Sequence, residues 1–499
     1  MRARLMLPAA LAFAASLSAA PPEIRNVTPL PVLTMCELAT NPRATLVNRE
    51  RHEERESFGV HAPAVTAAAT IVTTTTPNAG TIPAPPATAG FRPAYDRLVV
   101  YPSDAGGAVG RTQIVSVTNA EYTVHDRDGK RLMSIAPEQF WFSESAPAGE
   151  YFDARAVYDR VNDRFIIAGL FDVSLTKGEM LIAVSMTKDA SGEWARYRFR
   201  INQTLSSWDG DFTRIAMTRD AVVITANLYG GDASLGSMVY VVATKDLLTP
   251  SFPLKLASYK FGGPDNVPVT SYDDPTIYLA RAESDYFDVN VLTPSGNTLV
   301  AVVKSPANLA TFGGPWRAGN QIGLSYLIDC GLPTLHAAAI RNGVVWAVES
   351  GYSSSPLRAS VRWWRLNLAS PATTAQSALI DDPTGAKSFA FPSIAVNAAG
   401  AALIGYSYFA PDVYASNGYT YIDALGRTSP PTLLKTGDSV YTIGRWADFS
   451  ETMVDPTNDA DFWTVQTYAT ALPDDSHPRW ATWWGKIQVP PARGRVARK

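Results

Sequence analysis

The sequence predicts an all-β fold, a β-propeller of about six or seven blades with an N-terminal extended arm, and three observations predict it. From about Phe91 onward the chain is filled with short runs rich in Val, Ile, Tyr, Phe and Trp, among them RFIIAGLF, MLIAVSM, AVVITANLY and DFWTVQTYA. β-Branched and aromatic residues suit a pleated, half-buried surface, so each run reads as a strand. Turn signals such as SGEW, RNGV, NAAG and DALG separate the runs, and no long stretch carries a helical period. Finally, one plan recurs: a polar start, a strand of small and apolar residues, a polar turn, and a stronger apolar strand. It is seen in YFDARAVYDRVNDRFIIAGLF, GDFTRIAMTRDAVVITANLY, LPTLHAAAIRNGVVWAVESGY, FAFPSIAVNAAGAALIGYSYF and ADFSETMVDPTNDADFWTVQTYA. Anchored on Asp153, Phe212, Thr334, Phe391 and Phe449, these copies recur at about 58 residues or twice that. A weaker copy anchored near Asp274 fills the gap, and a divergent early one runs from Gly110 to Leu132. A four-stranded sheet cannot bury both faces alone, and a ring of such sheets closes the core. A pair of β-sandwiches with coincidental spacing is the alternative fold.

Taken in order, the N-terminus MRARLMLPAALAFAASLSAAPPEIR has a basic head, an apolar middle and small residues before Pro21. This is the layout of a cleaved signal peptide over residues 1–20. The apolar run falls short of the roughly 20 residues that span a bilayer, so no membrane span is expected and the chain is read as secreted or periplasmic. Residues 21–90 form the arm: the charge run NRERHEERE reads as a solvated helix, and the Ala, Thr and Pro-rich segment His61 to Gly90 as a linker. The propeller is assigned to residues 91–490, and the basic ARGRVARK to a tail over 491–499. Cys36 and Cys330 are the chain's two cysteines. In an exported protein they could form a disulfide tying arm to propeller, or remain separate thiols.

Composition narrows the function. The 499 residues carry a formal net charge of -3, with no basic excess for a nucleic acid or an anionic membrane. Two cysteines and five histidines do not make a Cys/His zinc site. GxSxG, HExxH and GxxxxGK are all absent. No cofactor or catalytic metal is expected. The acidic run DPTNDAD reads as a hairpin turn of the last blade, with a structural calcium loop as its alternative.

YFDARAVYDRVNDRFIIAG, AVSMTKDASGEWARYRF, FPSIAVNAAGAALIGYS and WADFSETMVDPTNDADFWTVQTYA resemble a group of secreted bacterial β-propeller proteins, most of which have no assigned activity. The likeness runs from roughly Val109 to Ile487 and implies fold rather than chemistry. SMTKDASGEWARYRF is also similar to a degenerate sialidase-type Asp box, with Thr187, Asp189, Gly192 and Trp194 matching only if one extra residue precedes the Gly. Asp boxes are blade turns, so the match bears on architecture.

Inner strands of a propeller run alike, so equivalent residues at their starts should ring one mouth of the central channel. The repeats place Arg155, Arg214, His336, Ser393 and Glu451 there, with Asp153, Asp211, Asp448 and Trp446 beside them, and Arg111 from the first copy as a further candidate. Charges converging on an axis are costly unless paired or solvated, so mutual pairing between blades is one reading. The other is a polar mouth that binds a glycan, peptide or protein ligand, with Arg holding a carboxylate and Trp446 offering a face for stacking. A glycoside hydrolase, sialidase-like, is the catalytic alternative, with acids drawn from Asp448, Glu451, Asp211 and Asp153. The arginines fit that reading; the early Arg motif is absent, and no Tyr-Glu pair stands out. A purely structural or surface-assembly role is the third reading. His336 could serve as an acid or base, or as a hydrogen-bonded structural histidine.

Overall fold

The structure is a computed structural model that describes residues 22–35, 71–75, 80–96, 100–142, 149–172, 178–201, 209–230, 233–249, 253–283, 285–305, 317–371, 375–471 and 479–490. The expected signal peptide, Cys36, the run NRERHEERE and the C-terminal tail lie outside these residues. Most of the described strands group into seven antiparallel four-stranded units, with Arg317–Gly319 and Ile328–Asp329 as a separate two-stranded sheet. The first strands of the units are Gly106–Val109, Glu150–Asp159, Asp209–Met217, Val267–Ser271, Leu335–Arg341, Ser388–Val396 and Glu451–Val454. Each of these packs against the next, and Glu451–Val454 packs back against Gly106–Val109, which closes the ring of a β-propeller. Between the fourth and fifth units the contact is a parallel ladder, Val269 opposite Ala338.

Apolar clusters fill the spaces between neighbouring sheets. Ile166, Ile182, Val222 and Ile224 join the second and third units, and Trp346, Trp363, Ile394 and Ile404 join the fifth and sixth. The adjacent pair Trp363 and Trp364 faces opposite ways, as a strand's two-residue period requires. One ring packs toward the sixth unit and the other toward the fourth, and both are buried. In the second pair Trp484 is buried and Trp483 half-buried.

The seventh unit is completed by the strand Ala87–Phe91, which pairs antiparallel with Arg479–Ile487. The segment expected as a linker therefore supplies the closing strand. Other parts of the arm lie along outer edges: Glu23–Val27 on Leu254–Phe261, Leu33–Thr34 on Glu193–Arg200, and Ile71–Thr73 on Gly296–Lys304. An outer strand presents unpaired N–H and C=O groups, and the arm satisfies them.

The repeat anchors have a structural meaning. Asp153, Phe212 and Phe391 adopt left-handed φ values of 52°, 56° and 53°. Pairing with the second strand slips at the same places, between Asp211 and Arg214 and between Ala390 and Ser393. These are β-bulges, which re-aim the side chains that follow them. Two copies are shifted from the sequence expectation. Asp274 lies in the turn after Val267–Ser271, and the left-handed residue before that strand is Asp265, with φ 60°. Gly110 to Leu132 begins after the first inner strand, and its left-handed residue is Asp104, with φ 48°. The Asp-box-like stretch is a blade turn: the Asp189 carboxylate accepts from the Ser191 N–H at 3.0 Å, and Trp194 is buried, donating to the Ala190 carbonyl at 2.8 Å.

Candidate functional site: the axial cavity

The inner strands enclose a cavity of about 100 Å³ that opens to solvent at one end. Arg155, Arg214, His336 and Glu451 all line it. The geometry departs from a surface mouth at the strand starts. Arg155 is 5% exposed, Arg214 3% and His336 4%, whereas Val161, at the far end of the same cavity, is 67% exposed. The four polar residues form a floor, and the cavity opens where the inner strands end.

Aromatic rings seal the floor from below. Phe212 meets Phe449 edge to face at 6.4 Å, and His336 lies against Phe212 at 5.9 Å and Phe391 at 6.5 Å. The Arg155 guanidinium sits 3.4 Å above the Phe449 ring and that of Arg214 4.2 Å above Phe212. A planar, weakly hydrated cation on an aromatic face is favourable and is fixed in direction by the ring.

Arg155 donates from Nε to the Thr213 carbonyl at 3.1 Å and from Nη1 to Glu451 Oε2 at 3.5 Å, leaving Nη2 buried without a partner. Arg214 donates from Nη2 to Asp265 at 2.9 Å, leaving Nε buried without a partner. His336 Nε2 shares a 2.9 Å hydrogen bond with Ser350 Oγ, and its Nδ1 has no partner. Burial, with Arg214 and Arg155 adding to it, holds this imidazole well below its usual range, so it is neutral at neutral pH. Burial also pulls Arg155 down to about 10, which leaves it cationic. Glu451 is pushed up to about 7 by burial, against the opposing pull of Arg155. A single 3.5 Å contact does not offset the desolvation of that carboxylate.

The other expected site residues are placed elsewhere. Trp446 is fully buried, donates from Nε1 to Ser407 Oγ at 2.9 Å, and packs edge-on against Phe409 and Tyr441. It offers no face for stacking, because its position in the chain precedes the strand and falls in the packing between units. Asp448 is buried and ion-paired with Arg445. Asp153 accepts from the Phe212 N–H at 2.6 Å, and the half-buried Asp211 accepts from the same N–H at 3.0 Å. Ser393 Oγ bonds Ser450 Oγ at 2.8 Å and Thr452 Oγ1 at 2.7 Å, joining the sixth and seventh units. Arg111 is in an exposed turn, ion-paired with Asp163. Cys330 is buried in a cluster with Phe391 and Trp446. Asp104, Asp153 and Asp448 bring carboxylate oxygens within 4.8 Å of one another and could hold a cation; Asp104 accepts from Asn119 at 2.7 Å and from the Asp448 N–H at 2.9 Å.

Two site features escaped the sequence. Asp265 pairs with Arg214, and its signal was the turn GGPDN before a strand holding Pro268. Tyr272 lines the cavity near its open end, bracketed by Arg160 at 4.8 Å and Arg341 at 5.0 Å, with both arginines paired to Asp459. Nothing in the repeat marks Tyr272, because it lies past the strand rather than in it.

No protein-family model matches the chain, and no curated protein matches it. Solved structures of similar shape include the GH93 α-L-arabinofuranosidase of Fusarium graminearum, at 9% identity and TM-score 0.38, covering 80% of this chain and 98% of that one. The endo-arabinase from Bacteroides thetaiotaomicron is 12% identical with TM-score 0.29, covering 69% of this chain and 95% of that one. Phage phi92 endosialidase is 10% identical with TM-score 0.36, covering 80% of this chain and 68% of that one. At such values these likenesses do not bear on the chemistry of this chain.

Proposed function

We propose that the protein is a binding propeller that takes a small carboxylate-bearing ligand, an acidic sugar or a peptide terminus, into its axial cavity without chemical change. One observation carries the reading: Arg155 Nη2, Arg214 Nε and His336 Nδ1 are buried, unpartnered polar atoms on residues that converge on one cavity floor. A buried donor left unmade costs about 1–3 kcal/mol, and an arriving carboxylate would satisfy two guanidinium donors together. The signal-like N-terminus fits action outside the cytoplasm, and among the described residues no helix is long and apolar enough to cross a membrane.

Glycoside hydrolysis is the second reading, favoured by Glu451, whose carboxyl titrates near 7 and suits a general acid. The other lining carboxylate, Asp159, is engaged by the N–H groups of Val161 and Asn162 at 2.9 and 3.0 Å. Calorimetry with glucuronate and with N-acetylglycine tests the first reading. Arg155→Met and Arg214→Met should each weaken binding at least tenfold; full affinity in both variants would remove the cavity floor from the site. Release of free sugar from aryl glycosides, abolished in Glu451→Gln, would favour hydrolysis instead.

A further inference from the structure

Glu451 stands on the same guanidinium that an incoming anion would use. It reaches Arg155 Nη1 at 3.5 Å and keeps 22% of its side-chain surface while Arg155 keeps 6%. Glu451 is the carboxyl group paired with Arg155, as Asp265 is with Arg214. A second carboxylate brought to Arg155 and Arg214 would lie beside it in a poorly solvated space, where two like charges cannot both be held.

Resting on the axial-cavity reading, we infer that Glu451 determines specificity by exchanging its place on Arg155 for the ligand's carboxylate, so that carboxylate binding takes up one proton from solvent onto Glu451.

The proton leaves water and forms the O–H of the Glu451 carboxyl; the ligand stays ionised, and Arg155 and Arg214 stay cationic. The surroundings leave Glu451 as the group that responds. Arg155 faces it from the second unit, and the charges that act on Arg155 besides Glu451 are Asp153 of the same unit, Arg214 of the third, whose partner Asp265 precedes the fourth unit's inner strand, and Asp104, which precedes the first. His336 on the fifth unit is neutral because burial disfavours its charged form. Tyr272, past the inner strand of the fourth unit, is neutral because burial pushes its hydroxyl up. The sixth unit and the second strand of the seventh present Ser393, Thr464 and Gln466, none of which is charged. Burial pushes the Glu451 carboxyl up to about 7. Proton uptake on binding should then be small at pH 6 and nearly complete at pH 8.

Calorimetry of the full chain at pH 6, 7 and 8, in buffers of different ionisation heat, tests this with glucuronate and N-acetylglycine as probes and glucose as the neutral control. Wild type should bind a carboxylate probe about tenfold more weakly at pH 8 than at pH 6. Proton uptake should rise across the same interval, and glucose should show neither effect. Glu451→Gln should bind with under twofold change across that range. Binding by glucuronate alone marks an acidic sugar, and by N-acetylglycine alone a peptide terminus. Carboxylate binding that is flat with pH in wild type, or a slope kept in Glu451→Gln, would overturn the exchange while leaving the cavity as a binding site. Absence of binding by both probes in wild type and variant would overturn both. The buffer-heat measurement needs no variant and so stands if Glu451→Gln fails to fold.

Discussion

At the scale of single residues, the cavity floor is a contest between desolvation and pairing. Glu451 has an arginine in reach and still titrates near 7, because burial of its charged form outweighs one long contact. The sign of the consequence follows. A carboxyl whose folded value lies above its ordinary 4.5 stabilises the fold fully below about that pH, and this contribution is lost as pH rises through 7. Glu451→Gln carries no such loss. Its stability advantage over wild type should grow between pH 5 and pH 8, by about 1–3 kcal/mol, measured by urea unfolding at each pH. His336 works in the opposite sense. Its lowered value gives stability that is present above its usual 6.5 and lost as pH falls through the folded value. His336→Asn should therefore lose less stability than wild type between pH 7 and pH 5, by the same measurement.

Within the sheets, function depends on where strands bulge and how closely they approach. The left-handed residues Phe212 and Asp153 would be strained in a regular strand. The 2.6 Å bond from the Phe212 N–H to Asp153 helps to hold the bulge that turns Arg214 onto the floor. Close approach has its own signature at Gly405, in the second strand of the sixth unit. A Cβ there would run into Thr464 Oγ1 and Gln466 Nε2 of the seventh, and both atoms belong to the hydroxyl and amide network around Ser393. Gly405→Ala should destabilise the protein by about 1–3 kcal/mol through overpacking, read as a lower urea midpoint with an unchanged slope.

For the whole molecule, the question is how the ring is closed. The seventh sheet takes three strands from the C-terminal part of the chain and its fourth, Ala87–Phe91, from before the first unit. That strand also covers the outer edge of Arg479–Ile487, and Gly90 packs where a Cβ would meet the Trp483 indole. Deleting residues 1–91 should abolish a cooperative thermal transition, because the last sheet would lose its fourth strand. Deleting residues 1–80 keeps that strand and removes edge pairing on three other sheets. That variant should fold with a lowered midpoint in calorimetry.

The sequence by itself determined the all-β class, the repeat and the convergence of Arg155, Arg214, His336 and Glu451. Strand composition is local, and a ring turns equal positions in the repeat into neighbours. Asp265 stayed hidden because its unit is out of step with the others, and Trp446 was misplaced because a short sequence offset carries a residue from the channel into the packing between sheets. Only the tertiary structure decided that these residues form a sealed floor rather than an open mouth. Which end of a channel is closed depends on aromatic rings brought together from distant units, Phe212, Phe449 and Phe391, and no single repeat records that meeting. Tertiary structure likewise turned the Ala, Thr and Pro-rich segment into a closing strand, since edge pairing depends on the partner presented and not on the propensity of the segment itself.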